Sequence, residues 1–405
     1  MTEENMSKLE ELIEQYCPDG VEYYKIKDVY KRIKGTPITA GKMKEIATPD
    51  GSVRIFAGGK TVIDANEKDI PNANITRVPA VLIQSRGVID AVYYDKPFTF
   101  KNEMWAYTTF NQKSVKYLYY ILKSNIQTFR DAASGMGALP QISLGVTEEF
   151  EIPVPPLPVQ EEIVRILDAF TELQAELQAE LQKRKQQYNY YRDNLLTNFT
   201  QEQAPKEYTL GEVTVDIYSG ATPSKEKREY WVNGTIPWMS SGEVNLGQVY
   251  EVEGRITQLG YDKCSTKMVP EGSVVIALAG QGKTRGTVAI LRTSVCTNQS
   301  LAALVPQKEI VSGEYLDYYL KTQYAKLREV SAGDGTRGGL NLKMLRAYKV
   351  VIPSHKAQDQ IVSILDRFDS LTNDLTSGLP AEIEKRRQQY EYYRDKLLTF
   401  KRKGA

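Results

Sequence analysis

The sequence has few of the residues from which catalytic and metal sites are built. Its 405 residues include one histidine and three cysteines. Cys17, Cys264 and Cys296 lie far apart with no CxxC pair, which argues against a structural zinc site and fits a reducing cytoplasm. His355 has no nucleophile near it in the sequence, so we expect a helix-terminal residue and no catalytic role.

Long apolar runs and a large net charge are also missing. The longest apolar run, Val274 to Ala279, is too short to span a bilayer, and the acidic, polar N-terminus predicts no signal peptide. The net charge is +1, so any affinity for nucleic acid must come from local patches. With 41% hydrophobic and 25% charged residues, the composition is that of a soluble protein of two or three domains, for which we expect no membrane partner.

One segment is present in two copies. Gln160–Asp168 matches Gln358–Asp366 at an offset of 198 residues, and Gln186–Thr197 matches Gln388–Thr399 at an offset of 202. Both copies contain Ile-Val-x-Ile-Leu-Asp and then Gln-Gln-Tyr-x-Tyr-Tyr-Arg-Asp-x-Leu-Leu-Thr. Two such matches indicate an internal duplication.

Each copy is predicted to be a long helix with an apolar seam. Apolar residues recur in steps of three and four, as in a helix that pairs with another helix, and the obvious partner of each copy is the other one. The predicted seam residues are Ile163, Leu167, Phe170, Leu177, Leu181, Tyr188, Tyr191, Leu195, Ile361, Leu365, Phe368, Tyr390, Tyr393 and Leu397. A four-residue insertion in the second copy contains Gly378 and Pro380, which predicts a kink or short break there.

The rest of the chain repeats as well, in the order globular, helix, globular, helix. We predict an α+β fold with β-rich mixed globular domains at residues 1–152 and 201–352 and helical segments at 153–200 and 353–405. If the halves are equivalent, a pseudo-two-fold axis relates them. The long helices are then antiparallel, and the end of the chain lies beside the first globular domain. The helix from Gln160 to Phe199 would be about 60 Å long at ~1.5 Å per residue.

Matching local elements are predicted in the two globular domains. Turn residues separate pairs of β-rich runs, and an amphipathic helix follows in each half. The predicted strands are Val78–Gln84, Val88–Tyr94, Val274–Ala279 and Thr287–Leu291, and the predicted helices are Tyr117–Asp131 and Tyr315–Glu329.

The Gly282-Lys283-Thr284 stretch resembles a phosphate-binding loop but does not satisfy that motif. Ala277 stands where the motif needs glycine, and the residues that follow are predicted to form a strand, whereas the motif needs a helix. The loop is therefore either a solvent-exposed hairpin turn or a DNA contact. No paired carboxylates with a metal-binding pattern and no methyl-transfer motif stand out, so the chain is predicted to read a ligand without catalysing a reaction.

Basic and amide side chains on loops are the candidate DNA contacts. Lys321–Lys349 contains seven basic residues against two acidic ones. Arginine reads guanine and asparagine reads adenine, although charged runs are as often plain solvated surfaces. The candidates are Lys42, Lys44, Lys60, Arg86, Met136, Gln141, Ser240, Gln281, Lys283, Arg285, Arg337 and Asn341. Trp238, close to Ser240, is expected to pack in the core.

Tyr190 and Tyr392 lie off the predicted seams at matching positions. Exposed aromatic residues of this kind either anchor a partner protein or cover their own helix, and we favour a partner.

These motifs resemble a known family. The Pro-rich entry Ile152–Pro158 and the two duplicated helix motifs are similar to the helical regions of type I restriction-modification specificity subunits. Ala57–Thr61 and Gly333–Asn341 resemble stretches of that family's target-recognition domains. The resemblance covers essentially the whole chain.

The resemblance implies a non-catalytic DNA-binding subunit with two target-recognition domains, each reading one half of a bipartite site in double-stranded DNA. It implies that the helices set the half-site spacing and dock two methyltransferase subunits, which restriction subunits join. S-adenosylmethionine, ATP and Mg²⁺ would belong to those partners, and this chain would hold no cofactor. The complex would be an adenine-specific methyltransferase and a restriction endonuclease in the cytoplasm.

Two other classes of function are open at this stage. The chain could be an enzyme that acts on nucleic acid alone, or a coiled-coil scaffold or other DNA-binding protein without a restriction-modification role. Methylation by the purified chain alone would favour the enzyme, and the absence of salt-dependent, sequence-specific DNA binding would favour the scaffold.

Overall fold

The computed structural model describes residues 3–59, 61–70, 72–134, 139–280, 284–331, 339–373 and 378–404. The chain forms two compact units. Unit 1 consists of Met1–Ala179 and Glu382–Ala405, and unit 2 consists of Glu180–Ala381.

Helices and short strands alternate along the described residues. The α-helices are α1 (Glu3–Tyr16), α2 (Ile26–Val29), α3 (Ala40–Ile46), α4 (Gln112–Ser124), α5 (Ile126–Asp131), α6 (Leu144–Glu148), α7 (Leu157–Thr197), α8 (Leu210–Val213), α9 (Gln258–Asp262), α10 (Gly313–Thr322), α11 (Tyr324–Val330), α12 (Leu342–Arg346), α13 (His355–Asn373) and α14 (Gly378–Leu398). The strands are β1 (Tyr23–Lys25), β2 (Lys31–Lys34), β3 (Val53–Phe56), β4 (Val62–Ala65), β5 (Ala80–Gln84), β6 (Asp90–Tyr94), β7 (Phe98–Phe100), β8 (Trp105–Thr108), β9 (Glu151–Pro153), β10 (Lys206–Thr209), β11 (Thr214–Ser219), β12 (Ile236–Met239), β13 (Gln248–Val249), β14 (Arg255–Ile256), β15 (Met268–Val269), β16 (Val274–Ala277), β17 (Val288–Leu291), β18 (Val295–Thr297), β19 (Leu301–Pro306) and β20 (Lys349–Ile352). The predicted mixture of helix and sheet is confirmed.

Unit 1 is built on two main sheets. One has the order β2-β8-β5-β6 and is antiparallel. The other has the order β4-β3-β7, in which β3 and β7 run parallel. Strand β5 is buried along its whole length, and its apolar residues pack under α4 on one face and against β7 on the other. This double burial explains why β5 is a continuous apolar run.

Unit 2 has a similar pair of larger sheets. One has the order β11-β19-β16-β17-β13 and the other the order β14-β12-β18-β15. Strands β12 and β18 run parallel, as β3 and β7 do in unit 1. Strands β16 and β17 are buried throughout and pack against α10. Trp238 on β12 is 8% exposed and donates from its indole nitrogen to Ala221 O, so its predicted core position is confirmed.

The same hydrogen bonds join the globular part to the helical part in each unit, at the 198-residue offset. Tyr120 donates to Asp168 Oδ1 at 2.6 Å, and Tyr318 donates to Asp366 Oδ1 at 2.7 Å. Further matched bonds run from Tyr117 to Pro153 O and Tyr315 to Val351 O, and from Gln160 to Pro155 O and Gln358 to Pro353 O. The internal duplication therefore extends to the hydrogen-bonding pattern.

Helix α7 begins after Pro155-Pro156 and keeps Pro158 in its first turn, where no backbone donor is needed. Its interior is rich in glutamate, glutamine, lysine and leucine, which are good helix formers. In unit 1, Phe170 on α7 stacks on Tyr393 of α14 with ring centroids 5.7 Å apart. In unit 2, Tyr191 on α7 stacks on Phe368 of α13, also at 5.7 Å.

The predicted seam residues differ in burial. Ile163, Leu167, Phe170, Ile361, Leu365 and Leu397 are buried, Leu177, Leu181, Tyr188, Leu195, Phe368, Tyr390 and Tyr393 are half-buried, and Tyr191 is 45% exposed. Pairing of the two helical segments along their whole length stays a prediction.

The last described residues of the chain return to the first globular domain, as predicted. The amide of Val21 donates to Lys401 O at 2.8 Å, and the amide of Lys403 donates to Val21 O at 3.0 Å. Tyr23 also donates to Phe400 O at 2.9 Å. These contacts lie within unit 1.

The amphipathic helices predicted at Tyr117–Asp131 and Tyr315–Glu329 are each two helices in the structure. The first is interrupted at Asn125, whose side-chain amide donates to Ile121 O at 2.9 Å and so competes for a helical carbonyl. The second is interrupted at Gln323, a buried residue that accepts from Tyr348 Oη at 3.2 Å. The apolar periodicity of the sequence continues through both interruptions.

The second helical segment is broken, as the insertion predicted. Helix α13 ends at Asn373 and α14 begins at Gly378. Gly378 has φ = +71°, and a Cβ there would lie 2.5 Å from Ser370 O. A right-handed helix cannot continue through that backbone conformation, and no other residue type fits it without strain.

Candidate nucleic-acid interface

Four loops of unit 1 meet at the ends of its sheets. We call them loop cluster 1, and they are Ala57–Gly59, Ser85–Gly87, Lys101–Glu103 and Pro140–Gln141. The amide of Gly59 donates to Arg86 O at 3.1 Å, and the amide of Gly87 donates to Pro140 O at 2.8 Å. The hydroxyl of Ser85 donates to Glu103 O at 2.5 Å. The sequence-predicted residues Arg86 and Gln141 are thus brought together from distant parts of the chain.

Arg86 and Gln141 are both exposed. Gln141 holds its position through paired backbone hydrogen bonds with Ser134, at 3.0 and 3.1 Å. Within the described part of the chain, no hydrogen bond or ion pair is recorded for the guanidinium of Arg86. A charged group that is held by a β-hairpin and has no partner among the described residues is suited to bind a phosphate or guanine.

Lys42 and Lys44 lie on α3, away from these backbone contacts. Met43 and Ile46 on the buried side of α3 pack with the apolar residues of β3. The ammonium of Lys42 pairs with Glu45 at 2.8 Å, which offsets part of its charge, whereas Lys44 is exposed. Met43 and Ile46 of this helix belong to the same hydrophobic cluster as Ala57 of loop cluster 1.

Unit 2 gathers the corresponding loops, which we call loop cluster 2: Ser240, Leu278–Gly280, Asn298–Ser300 and Gly339–Asn341. The amide of Asn298 donates to Met239 O at 3.1 Å, and the amide of Leu278 donates to Ser300 O at 2.8 Å. The amide of Leu340 donates to Leu278 O, also at 3.1 Å. Ser240 and Asn341 therefore share one cluster, as Arg86 and Gln141 do in unit 1.

The side chains of Ser240 and Asn341 also have local structural roles. Ser240 begins the 3₁₀ helix Ser241–Leu246 and donates to Glu243 Oε2 at 2.9 Å. The side-chain oxygen of Asn341 caps α12, accepting from the amide of Met344 at 2.9 Å. A bidentate contact from Asn341 to adenine would have to use that capping oxygen as well.

Arg285 lies just before β17, and its carbonyl accepts from Arg328 at 3.2 Å. The residues after the Gly-Lys-Thr stretch form β17, so the prediction that no phosphate-binding helix follows is confirmed.

Five of the candidate DNA contacts lie outside the described residues, namely Lys60, Met136, Gln281, Lys283 and Arg337. His355 begins α13 as expected, with Nε2 2.8 Å from Glu309 O.

Comparison with a family model decides the identity of the fold. The model of the type I restriction modification DNA specificity domain matches the chain twice, at residues 18–184 and 204–385. The chain belongs to this family. It is a type I specificity subunit with two target-recognition domains, and subunits of this kind are non-catalytic and carry no cofactor of their own.

Relatives in several bacteria are similar over most of this specificity subunit. The specificity subunit of the Escherichia coli EcoR124I/EcoR124II type I restriction enzyme is 38% identical over 297 residues, which cover 72% of this chain and 72% of that protein. A candidate type I specificity subunit of Mycoplasma pneumoniae is 32% identical over 304 residues, 70% of this chain and 82% of its own.

Solved structures share the fold. The S subunit of a type I restriction-modification system from M. genitalium has a TM-score of 0.56 at 18% identity and covers 93% of this chain and 95% of its own. A chain from a study of type I complex assembly and conformational transition has a TM-score of 0.57 at 18% identity and covers 94% and 98%.

Two exposed tyrosines lie on the helices of this specificity subunit. Tyr190 is 67% exposed and packs edge-on against Tyr191, with ring centroids 5.5 Å apart. Tyr392 is 64% exposed and packs in the same way against Tyr393 at 5.3 Å. Since Tyr191 and Tyr393 stack on phenylalanines beneath them, each exposed ring is held in place in the free protein.

A buried carboxylate distinguishes unit 2. A cleft of about 880 Å³ is lined by residues that include Gly247, Arg292 and Lys321. Lys321 Nζ pairs with Asp317 Oδ2 at 2.6 Å, and Asp317 Oδ1 has no hydrogen-bond partner in the described part of the specificity subunit. Burial raises the pKa of Asp317 to about 6.

The described residues contain no group of three or more His, Cys, Asp or Glu side chains that could hold a metal ion. None of their helices is both long and apolar enough to cross a bilayer.

Proposed function

We propose that this specificity subunit binds double-stranded DNA and that each of its domains reads one half of a bipartite site. The observation that carries the proposal is the convergence of polar loops in each unit. In unit 1 an exposed arginine and an exposed amide meet in loop cluster 1, and in unit 2 Ser240 and Asn341 meet in loop cluster 2. Arginine and carboxamide side chains are the commonest readers of guanine and adenine.

We propose that the reading domains are residues 1–152 and 201–352 and that the helical segments 153–200 and 353–405 set the half-site spacing. The segments would pair antiparallel about a pseudo-two-fold axis. The ring contacts of α7 with α14 in unit 1 and with α13 in unit 2 support this pairing. Helix α7 has 41 residues, about 60 Å at ~1.5 Å per residue, and half-sites one DNA turn apart need roughly 34 Å.

The helices would also dock two methyltransferase subunits. Tyr190 and Tyr392 support this role because each ring is exposed and held in place by its neighbour, so little side-chain entropy is lost on binding. Restriction subunits would join that complex. S-adenosylmethionine, ATP and Mg²⁺ would be bound by the partners, which would methylate adenine and cleave DNA in the cytoplasm.

The test is reconstitution. The specificity subunit with its methyltransferase partners should bind a DNA library selectively and methylate one bipartite sequence, with affinity that falls as salt rises. The purified subunit given S-adenosylmethionine and DNA should transfer no methyl group. Methylation by the subunit alone, or a complex with no sequence preference, would contradict the proposal.

The spacing role has its own experiment. Four residues inserted after Glu180, in the exposed middle of α7, would add about one helical turn, ~5.4 Å. The complex should then prefer a different gap between the same two half-sites, or lose activity. Retention of the original spacing would show that α7 does not measure the distance.

A further inference from the structure

Each unit has an exposed carboxamide on the loop after its parallel strand. In unit 1, β7 pairs with β3 so that Phe100 lies opposite Phe56, and the amide of Lys101 donates to Phe56 O at 3.0 Å. In unit 2, β18 pairs with β12 so that Thr297 lies opposite Met239, and the amide of Asn298 donates to Met239 O at 3.1 Å. The next residues, Asn102 and Gln299, therefore occupy equivalent positions.

A glycine lies directly against this loop in both units. A Cβ on Gly35 would lie 2.3 Å from Phe100 O, and a Cβ on Gly220 would lie 1.7 Å from Thr297 O. Those carbonyls are equivalent, and the approach leaves no room for a side chain. The two domains thus keep the same close contact under the carboxamide, although their other loop residues differ.

Gln299 is oriented before any ligand binds. Its side-chain oxygen accepts from Thr222 Oγ1 at 2.5 Å. Both hydrogens of its Nε2 have no recorded acceptor within the described residues, and the residue is exposed. The hydrogen bond from Thr222 leaves the Nε2 donor of Gln299 available at the surface. It also lowers the entropy cost of binding, because the side chain is already oriented.

Asn102 lines a cleft that contains both basic and acidic residues. The cleft has a volume of about 520 Å³, and its lining residues include Asn102, Arg32 and Lys34. Asn102 is exposed, and its amide makes no recorded hydrogen bond to any described residue. Glu103 also lines the cleft, and Arg32 pairs with Glu148 at 3.3 Å. The neutral amide of Asn102, which has both a donor and an acceptor, suits a base edge.

Both residues belong to the loop clusters already described. Glu103, next to Asn102, accepts from Ser85 in loop cluster 1. Ser300, next to Gln299, accepts from the amide of Leu278 in loop cluster 2. The sequence patterns did not single out these amides; the signal in the sequence is the Thr-Pro dipeptide that recurs at Thr36-Pro37 and Thr222-Pro223.

We propose that Asn102 and Gln299 are specificity-determining residues, each reading one base edge in the half-site of its own domain. Gln299 donates from Nε2 to a base acceptor in the major groove, namely guanine O6 or N7, adenine N7 or thymine O4. Thr222 is a positioning residue that fixes the amide of Gln299. This inference rests on the proposed function, because it names the groups that read DNA at the same clusters.

The experiment uses the reconstituted complex and a DNA panel in which each base pair of the recognised site is replaced in turn. Gln299→Ala and Gln299→Glu, which removes the donor, should lower discrimination on the order of tenfold at one base pair of one half-site. Asn102→Ala should do so at one base pair of the other half-site. Thr222→Val should weaken discrimination at the position lost in Gln299→Ala, by a smaller factor.

Gln258→Ala and Gln127→Ala are the controls, since both residues are exposed amides on short helices outside the clusters. They should leave every position unchanged. Unaltered discrimination in Asn102→Ala and Gln299→Ala, or an equal loss of affinity for all sequences, would overturn the assignment. A wild-type complex without any sequence preference would instead overturn the proposed function.

Discussion

The junction between globular domain and helix is the same in the two units, whereas the loops at the sheet ends differ. At the junction, Tyr120 and Tyr318 each donate a hydrogen bond to an aspartate, with donor–acceptor distances of 2.6 and 2.7 Å. At the loops, Ala279 in unit 2 stands where unit 1 has Arg86, as the matched backbone bonds from Ile142 and Leu340 show. The hydrogen bonds at the junction are therefore repeated in both units, whereas the side chains on the loops differ between them.

One position at the junction departs from this rule. Tyr119 in unit 1 lies 198 residues before Asp317 in unit 2. The ring of Tyr119 packs against Tyr93 and Tyr120, with centroids 6.2 and 5.2 Å away. Asp317 is instead a buried acid paired with Lys321. The two units should therefore respond alike to apolar substitutions and differently to pH.

Truncation of the equivalent buried leucines is expected to have the largest effect. Leu167 and Leu365 are fully buried at matched positions, so Leu167→Ala and Leu365→Ala should each cost about 2–5 kcal/mol of unfolding free energy. Denaturant unfolding gives the magnitude, and hydrogen exchange should place the loss in unit 1 for Leu167→Ala and in unit 2 for Leu365→Ala.

The matched controls are Leu173→Ala and Leu371→Ala, at residues 37% and 51% exposed. Each should change the unfolding free energy by less than about 0.5 kcal/mol. Very unequal losses for the two buried leucines would break the equivalence of the junctions.

Ionisation of the buried Asp317 carboxyl should make unit 2 less stable as pH rises through mildly acidic values. In the unfolded chain the Asp317 carboxyl ionises near its ordinary pKa of 3.8. In the folded protein its pKa is about 6, so it keeps its proton to a higher pH. Stability should fall between about pH 4 and 6, by at most about 3 kcal/mol, and stay level above that range. Asp317→Asn should remove this slope from denaturation measured across the range.

The control for that slope is Tyr119→Phe at the matching position of unit 1, which adds no acid. It should leave the pH dependence of unit 2 as in the wild type. A slope that survives in Asp317→Asn would assign it to another group.

The exposed tyrosines should contribute equally to partner binding. Tyr190→Ala and Tyr392→Ala are each expected to weaken binding of one methyltransferase subunit on the order of tenfold, because an ordered aromatic anchor is lost. Titration calorimetry with the isolated partner measures this effect. Tyr250→Ala, at a residue 69% exposed outside the helical segments, should change nothing, and a loss there equal to that of Tyr190→Ala would refute the anchor role.

Loss of a single junction hydroxyl should reduce the unfolding free energy less than truncation of a buried leucine does. Tyr120→Phe and Tyr318→Phe should each cost about 1–2 kcal/mol. Tyr120→Phe should cost less, because Asp168 keeps Lys116 at 2.8 Å as a second partner. Denaturant unfolding of the two variants measures the difference, and a larger loss in Tyr120→Phe would contradict this account.

Much of the architecture could be predicted from sequence because it follows periodicity and repetition. Duplicated motifs gave the order of domains and helices, and the insertion at Gly378 gave the helix break. The helix ends at Asn125 and Gln323 could not be predicted, since the apolar periodicity continues through both residues. For the candidate site, sequence indicated Arg86 and Gln141 separately, but not that they share a cluster.

The sequence by itself determined that the chain is two copies of one plan, because matching residues at a fixed offset need no coordinates to be seen. Tertiary structure alone decided which polar side chains are exposed without a partner among the described residues and which are used in helix capping. The strand register places Asn102 and Gln299 on equivalent loops. The side-chain oxygens of Ser240 and Asn341 instead make local hydrogen bonds at helix N-termini. Availability depends on which hydrogen bonds the folded chain has already made, and those bonds join residues far apart in the sequence.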